Sequence, residues 1–414
     1  LHSQSEVYLI IKKVIVLIIF SILTLGVQAK SKEVWVTINH TVIKEVIAKK
    51  HRLFNFSEVI KGQKENHYLT TIDESDKFAA HLHHILKRCG GFTVSNTKPK
   101  ASIINKSMEE EENFWPNELD KLIDLKYNIS RTDLVNDYFL EVNSFHVDSV
   151  INQLTSFHTR YYRSPEGIAA LKWIGNKWLD LVKIRSDAKV EFFKHENHDQ
   201  PSVILTIEGS DPVKKDQIII IGGHGDSINS DDPTAHLRSP GANDNAAGIA
   251  VITDIIKILV EKGYRPSRTI QFIAYAAEEV GLQGSMEIAS HYLESKKKVV
   301  GVLQLDGINY VGKTFDLALI SDLTHKAQNQ FLAKLVDTYL KAKWSWDKCD
   351  YACSDHYSWH LKGYRASFPV EGIMSEQNPF IHTSDDTFDK SNNNSDHALM
   401  FEKLALAYLL ELDQ

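Results

Sequence analysis

Five short segments carry side chains that could do chemistry together. They are Gly222-Gly-His-Gly-Asp-Ser227, Pro240-Gly-Ala-Asn-Asp-Asn245, Ala277-Glu-Glu-Val-Gly281, Leu305-Asp-Gly307 and Ile381-His-Thr-Ser-Asp-Asp386. Singly each is ordinary: a Glu-Glu pair usually marks a solvated helix end, and an Asp after an apolar run is often a cap. Together they offer His224, Asp244, Glu279, Asp306 and His382. Imidazole nitrogen with carboxylate oxygen suits a divalent transition metal such as zinc. Two histidines and three carboxylates exceed what one catalytic zinc with an open position uses. They suit two metals sharing a bridging carboxylate.

The first four segments each follow a predicted strand. Gln217 to Gly222 is a continuous apolar run, as in a strand buried on both faces. Thr269 to Ala276, Val299 to Leu305 and Phe315 to Ile320 read as further strands, and Ser202 to Ile207 alternates. Helices are predicted over about 246–261 and 282–294. Val150, Leu154, Phe157 and Tyr161, and Leu171, Ile174, Trp178 and Leu181, recur at helical spacing. Alternating strands and helices imply an α/β domain, with a mixed, largely parallel central sheet and helices on both faces. In such sheets sites form at the carboxyl ends of strands.

Upstream, Lys12-Lys13 and the apolar run 14–27, ending Val27-Gln28-Ala29, read as a secretory signal spanning 1–29. Residues 30–98 read as a small α+β module. Strands are expected at Glu33 to Ile38, His67 to Ile72 and Phe92 to Val94. A helix capped by Ser75 or Asp76 should run to Lys87, with Phe78, Leu82 and Ile85 inward and Gly90-Gly91 stopping it. His81, His83 and His84 are read as a solvated helix face, since His83 does not share a face with the other two. Residues 99–140, with the acidic run 109–112, read as a linker and processing region, and 141–414 as the catalytic domain.

The charge balance, 47 basic against 54 acidic residues and net −7, excludes a nucleic-acid binder with a basic surface. Three cysteines exclude a disulfide-rich scaffold.

From about Val147 onward the chain resembles the secreted bacterial leucyl aminopeptidases of the two-zinc peptidase family, of the vibrio type. Phe157-His-Thr-Arg-Tyr-Tyr162, the His224 segment, Ala274-Tyr-Ala-Ala-Glu-Glu-Val-Gly-Leu282 and Cys349-Asp-Tyr-Ala-Cys-Ser-Asp-His356 match in order and spacing. The resemblance implies a zinc-dependent hydrolase with two Zn2+ per chain. His224 and Asp306 would bind one, Glu279 and His382 the other, and Asp244 would bridge them, followed by a cis peptide bond. Glu278 would be the general base for a zinc-bound hydroxide, and Asp226 would fix the His224 tautomer. Cys349 and Cys353 would form a disulfide, leaving Cys89 as a buried or pro-region thiol. Tyr351 and Ser354 would lie near the reacting carbonyl, and Phe368, Val370, Met374 and Ile381 would line an apolar pocket for leucine-like residues. Val370 and Gln377 stand where the family has aromatics, Gly225 and Gly307 replace bulkier residues, and Glu376, if inward, would favour lysine or arginine.

The partners implied are peptides with a free N-terminus, with no nucleic acid and no stable membrane association after signal cleavage. The protein would be a monomer, secreted through the periplasm, and the front module a propeptide making it a zymogen. A one-zinc cyclase of the same fold is disfavoured by the retained His224 and Asp306. A binding protein is disfavoured because no ligand or base is lost. A carboxypeptidase would need a cation, with Arg238 or Arg365 the candidates.

Overall fold

The computed structural model describes residues 32–49, 57–61, 65–88, 91–98, 125–232 and 235–414. The signal-like segment 1–29, Cys89 and the acidic run 109–112 lie outside them.

The front module is a four-stranded antiparallel sheet in the order β2-β3-β1-β4, made of β1 (Glu33–Asn39), β2 (Glu58–Lys61), β3 (Glu65–Thr71) and β4 (Phe92–Ser95). Helices α1 (His40–Ala48) and α2 (Ile72–Leu86) pack against it. Helix α2 starts earlier than expected. Thr71, extended, takes the Glu74 N–H on its hydroxyl, while Ser75 bonds back to the Ile72 carbonyl and Asp76 is used elsewhere. Lys87, left-handed at φ 55°, ends the helix ahead of the glycines.

The α/β domain holds a six-stranded sheet in the order β12-β9-β7-β8-β6-β5. Strands β12 (Ala366–Ser367), β9 (Lys298–Gln304), β7 (Gln217–His224) and β8 (Thr269–Tyr275) run parallel, whereas β6 (Ser202–Ile207) and β5 (Ala188–Phe193) add an antiparallel edge. Side chains alternate across β7. Ile219 and Ile221 join the core beneath α4 (Ser144–Thr155), α5 (Pro165–Val182), α6 (Ala247–Glu261), α8 (Lys326–Leu335) and α10 (Ala398–Leu412). Ile218 and Ile220 face α7 (Gln283–Glu294) and α9 (His356–Leu361). Among the described residues no helix is long and apolar enough to cross a membrane.

Two expectations change. Strand β10 (Leu317–Ile320) lies outside the central sheet, in a three-stranded sheet between β11 (Trp344–Asp347) and β13 (Pro369–Val370). Within the expected linker, helix α3 (Thr132–Phe139) belongs to the domain: Val135 and Tyr138 are buried in its core, and the Ser130 and Arg131 N–H groups donate to Glu411 on α10.

The front module docks on the α/β domain at the carboxyl ends of its strands. Val42, Phe78, Phe92 and Val94 share one apolar cluster with Tyr161, Tyr162, Ala277, Val280, Tyr351 and Phe368. The Val94 N–H donates to the Gly281 carbonyl at 2.9 Å. Asp76 accepts from the Tyr162 hydroxyl at 2.7 Å and pairs with Arg163 at 3.0 Å.

Burial pushes the Asp76 carboxyl up from 3.8 to about 6, against the pull of Arg163. The folded chain therefore holds a proton that the unfolded chain releases between these values, and stability falls as pH rises through that window. Asp76→Asn mimics the protonated form. Its Tm should equal the parent's near pH 3.5 and exceed it at pH 7.5, by a gap worth up to about 3 kcal/mol. Thermal melts at several pH values check this, and a constant offset would contradict it.

Candidate active site

In the α/β domain each metal-type side chain leaves a strand end or a nearby loop. His224 closes β7, Glu278 and Glu279 follow β8, and Asp306 follows β9. Asp244 sits in the turn before α6, and His382 in the loop after β13. Because β9, β7 and β8 are neighbours, these ends converge.

His224 Nε2 lies 3.0 Å from Asp244 Oδ1 and 3.3 Å from Asp306 Oδ1. His382 Nε2 lies 2.9 Å from Asp244 Oδ2 and 3.2 Å from Glu279 Oε2. Each oxygen of Asp244 thus faces a different histidine. His224, Asp244 and Asp306 form one potential metal-binding group, and Glu279 and His382 belong to a second. All are buried.

The backbone is held from several sides. The Asp244–Asn245 bond is cis. Asp386 accepts the Asn243 and Asp244 N–H groups at 3.2 and 3.0 Å. Asn245 donates to the Leu305 carbonyl and caps α6 through the Gly248 N–H. Arg160, wholly buried, donates to the carbonyls of Gly225, Pro240 and Gly241 and so ties the loops after β7 together. Ala277 (φ 53°) and His382 (φ 59°) are left-handed without being glycine. Such conformations cost about 1–3 kcal/mol and persist where surrounding structure imposes them.

Asp226 accepts the N–H groups of both Glu278 and Glu279, at 3.1 and 3.2 Å. It lies 3.5 Å from His224 Nδ1, longer than an ordinary hydrogen bond. Its clearest work is therefore to aim the glutamate pair.

Burial raises Glu278 well above the ordinary range, and burial followed by the Asp244 charge pushes Glu279 up to about 8. Burial also carries Asp355 and Asp386 to about 7 and Glu371 to about 8. On Asp244 burial is outweighed by the two histidines, which hold it far below the usual range. On His224 burial is outweighed by Asp306, Glu278 and the other acids, which lift it well above its ordinary value. Both Asp244 oxygens and Glu279 Oε2 are buried without a hydrogen bond of ordinary geometry. A crowd of buried carboxylates aimed at imidazole nitrogens calls for cations, and the nitrogen and oxygen donors fit zinc.

Tyr351, Phe368, Met374 and Ile381 line a cavity beside Asp244 and Asp306, together with Gly307, Glu371 and Gln377. It encloses about 30 Å³, room for about two water molecules. Two expectations are corrected here. Val370 is buried on β13, paired with Ala318, and does not line the cavity. Ser354 stays beside the centre, one step behind the wall, its hydroxyl donating to Asp306 Oδ2 at 2.6 Å. Glu376 is occupied by the Lys313 and Thr314 N–H groups at 2.9 and 2.8 Å and lies outside the lining, which removes the argument for basic residues. Cys349 and Cys353 form a disulfide, and Cys353 reaches the cavity. Gly307, at φ 56°, has open space where a Cβ would stand. Gly225 has none, since a Cβ there would meet Leu171 at 2.7 Å. Among the described residues no lysine or arginine lines the cavity, so neither Arg238 nor Arg365 is placed to hold a C-terminal carboxylate.

The largest correction is His83. It is buried, its ring stands 4.1 Å from that of His382, and its Nε2 lies 3.8 Å from Glu279 Oε2. It completes the second potential metal-binding group. A signal was present: Ala79 and Leu86, one turn away on either side, are apolar, so His83 sits on the inward stripe of α2, whereas His84 is exposed. Arg160, Asp355 and Asp386 lie inside the quoted motifs without a role of their own there, and Glu371 lies outside them.

Comparison with known proteins fits this geometry. Residues 202–407 match the profile of peptidase family M28. A probable aminopeptidase of Saccharomyces cerevisiae is 32% identical over 69% of this chain and 77% of its own length. A probable leucine aminopeptidase of Trichophyton verrucosum is 31% identical over 86% of this chain and 92% of its own. The chain belongs to peptidase family M28. It is a hydrolase, an aminopeptidase of that family acting on peptides. The LapA aminopeptidase of Legionella pneumophila superposes with a TM-score of 0.78 at 25% identity, covering 93% of this chain and 99% of that one. That share is larger than the α/β domain alone. Fungal aminopeptidases and a bacterial one thus both match, which widens the resemblance beyond one bacterial group.

Proposed function

We propose that this M28 aminopeptidase removes leucine-like residues from the free N-terminus of peptides at a two-zinc centre. Asp244 carries the reading: its two oxygens face His224 and His382 separately and join the two donor groups into one site. His224, Asp306 and Asp244 would hold one ion, and His382, Glu279 and Asp244 the other. When bound, the pair supplies Lewis-acid chemistry, acidifying a water and polarising the scissile carbonyl.

The chain's own groups do the rest. Glu278 belongs to neither donor group, so its carboxylate is free to accept the proton of the attacking water and pass it to the leaving amine nitrogen. Asp226 holds the main chain of both glutamates, which lets one bind metal while its neighbour moves a proton. Phe368, Met374 and Ile381 receive an apolar side chain, with Gly307 leaving room beside them. Tyr351, on the cavity wall, is positioned near the reacting carbonyl.

The apolar run at 14–27 and the Cys349–Cys353 bond support an exported protein. In this reading the front module is a propeptide on a secreted monomer that does not stay membrane-bound.

The test compares Leu-anilide with N-acetyl-Leu-anilide, and Leu with Lys and Glu anilides, with and without a chelator, before and after limited proteolysis. Cleavage confined to free amines, Leu above Lys by at least about tenfold, and restoration by zinc support the proposal. Cleavage of the acetylated substrate overturns it.

A further inference from the structure

The front module does more than cover the cleft. Its Arg88 guanidinium lies 3.6 Å from the centre of the Tyr351 ring. Gly91 packs so closely that a Cβ there would stand 2.9 Å from the same ring. Between these contacts and the α2 core, His83 reaches the metal-binding residues themselves.

We infer that His83 is a ligand to the metal held by Glu279 and His382, supplied by the front module, and that it closes that metal to substrate until the module is displaced. This rests on the two-metal reading above. Three features of the geometry point to it. The donor atoms of His83, Glu279 and His382 all lie within 4.8 Å of one another, with all three side chains buried. His83 Nε2 lies 2.7 Å from the Glu279 carbonyl oxygen, and Nδ1 lies 3.2 Å from the Arg88 carbonyl oxygen. A neutral imidazole has one N–H, so in either tautomer one of these carbonyls faces a lone pair. Before a cation enters, Nε2–H points at the Glu279 carbonyl, so ligation moves that proton to Nδ1, where the Arg88 carbonyl accepts it, and tilts the ring off the carbonyl toward Glu279 Oε2, 3.8 Å away. A ligating histidine commonly donates its other N–H to a carbonyl in this way.

The consequence follows from coordination number. A catalytic zinc keeps a position open for water or substrate, whereas a structural one is closed by protein ligands. His83 would be the fourth protein ligand beside His382, Glu279 and Asp244, and, coming from outside the α/β domain, it takes the place a substrate amine needs.

The experiment uses the full uncleaved chain loaded with Co2+, whose visible spectrum reports the ligand set. His83→Ala and His83→Gln should both keep two cobalt ions per chain and change the spectrum. His84→Ala, on the exposed side of the same helix, should leave the spectrum as in the parent. Activity of the uncleaved chain on Leu-anilide should rise at least about tenfold in the two His83 variants. A crystal structure of the zinc-loaded parent needs no variant. His83 Nε2 at about 2.1 Å from one ion supports the proposal, and a separation beyond about 3 Å overturns it. A spectrum unmoved in both His83 variants, or moved equally by His84→Ala, also overturns it. If the parent binds no cobalt at all, the two-metal reading fails instead.

Discussion

Glu278→Gln should lower kcat on Leu-anilide by about 10²–10⁴-fold, the range for loss of a positioned general base, while KM and metal content stay close to the parent's. Glutamine keeps the shape and the main-chain bond to Asp226 but cannot accept the water proton. Because Glu278 lies in neither donor group, both metals should remain. The neighbouring Glu279→Gln should behave differently, losing metal as well as activity, since its Oε2 faces His382 at 3.2 Å. Steady-state kinetics with elemental analysis of the same samples separates the two. Equal metal loss in both variants would mean that Glu278 is a ligand. A drop in kcat/KM carried only by KM would mean that it binds substrate rather than moving a proton.

Asp244→Ala should have the widest effect, because one side chain serves both halves of the site. Removing it takes an oxygen from His224 and another from His382 at once. Loss of an outer partner of a metal ligand typically costs 10–100-fold in affinity. Loss of a shared direct ligand should exceed about 100-fold for each ion and take activity to background. Competition with a chelator of known affinity checks this. An Asp244→Ala protein that keeps one ion at parent affinity would show that the two groups are independent.

Much of this centre was legible in the sequence because its ligands follow strands that announce themselves. The Ile218–Ile221 run, followed by Gly-Gly-His, allows little but a buried strand ending at a site. The apolar Thr269–Ala276 run likewise marks a strand whose end carries both glutamates. What was hidden lay between elements distant along the chain. His83 was judged by its spacing to two other histidines, when the stripe it shares with Ala79 and Leu86 decides its direction. The interface that buries it joins α2 to loops some 200 positions later, and no local pattern records that. Glu376 and Val370 sit next to pocket residues in sequence, but local hydrogen bonds turn one away and strand pairing buries the other. β10 is legible as a strand but not as belonging to a second sheet, since a four-residue apolar strand looks the same in either. Helix α3 is hidden in a polar stretch because two buried side chains and the Glu411 carboxylate, which takes the N–H groups just before it, hold it, and Glu411 lies at the other end of the chain.

The central claim is a pair of metal sites bridged by Asp244, and the most direct test is the number of metal ions bound per chain. Zinc-saturated, extensively dialysed protein should hold two ions by elemental analysis. His224→Ala and His382→Ala should each retain one ion, and only one of the parent's two tight phases should remain in each chelator titration. A parent holding a single ion at saturation, removed by either substitution alone, would contradict the account.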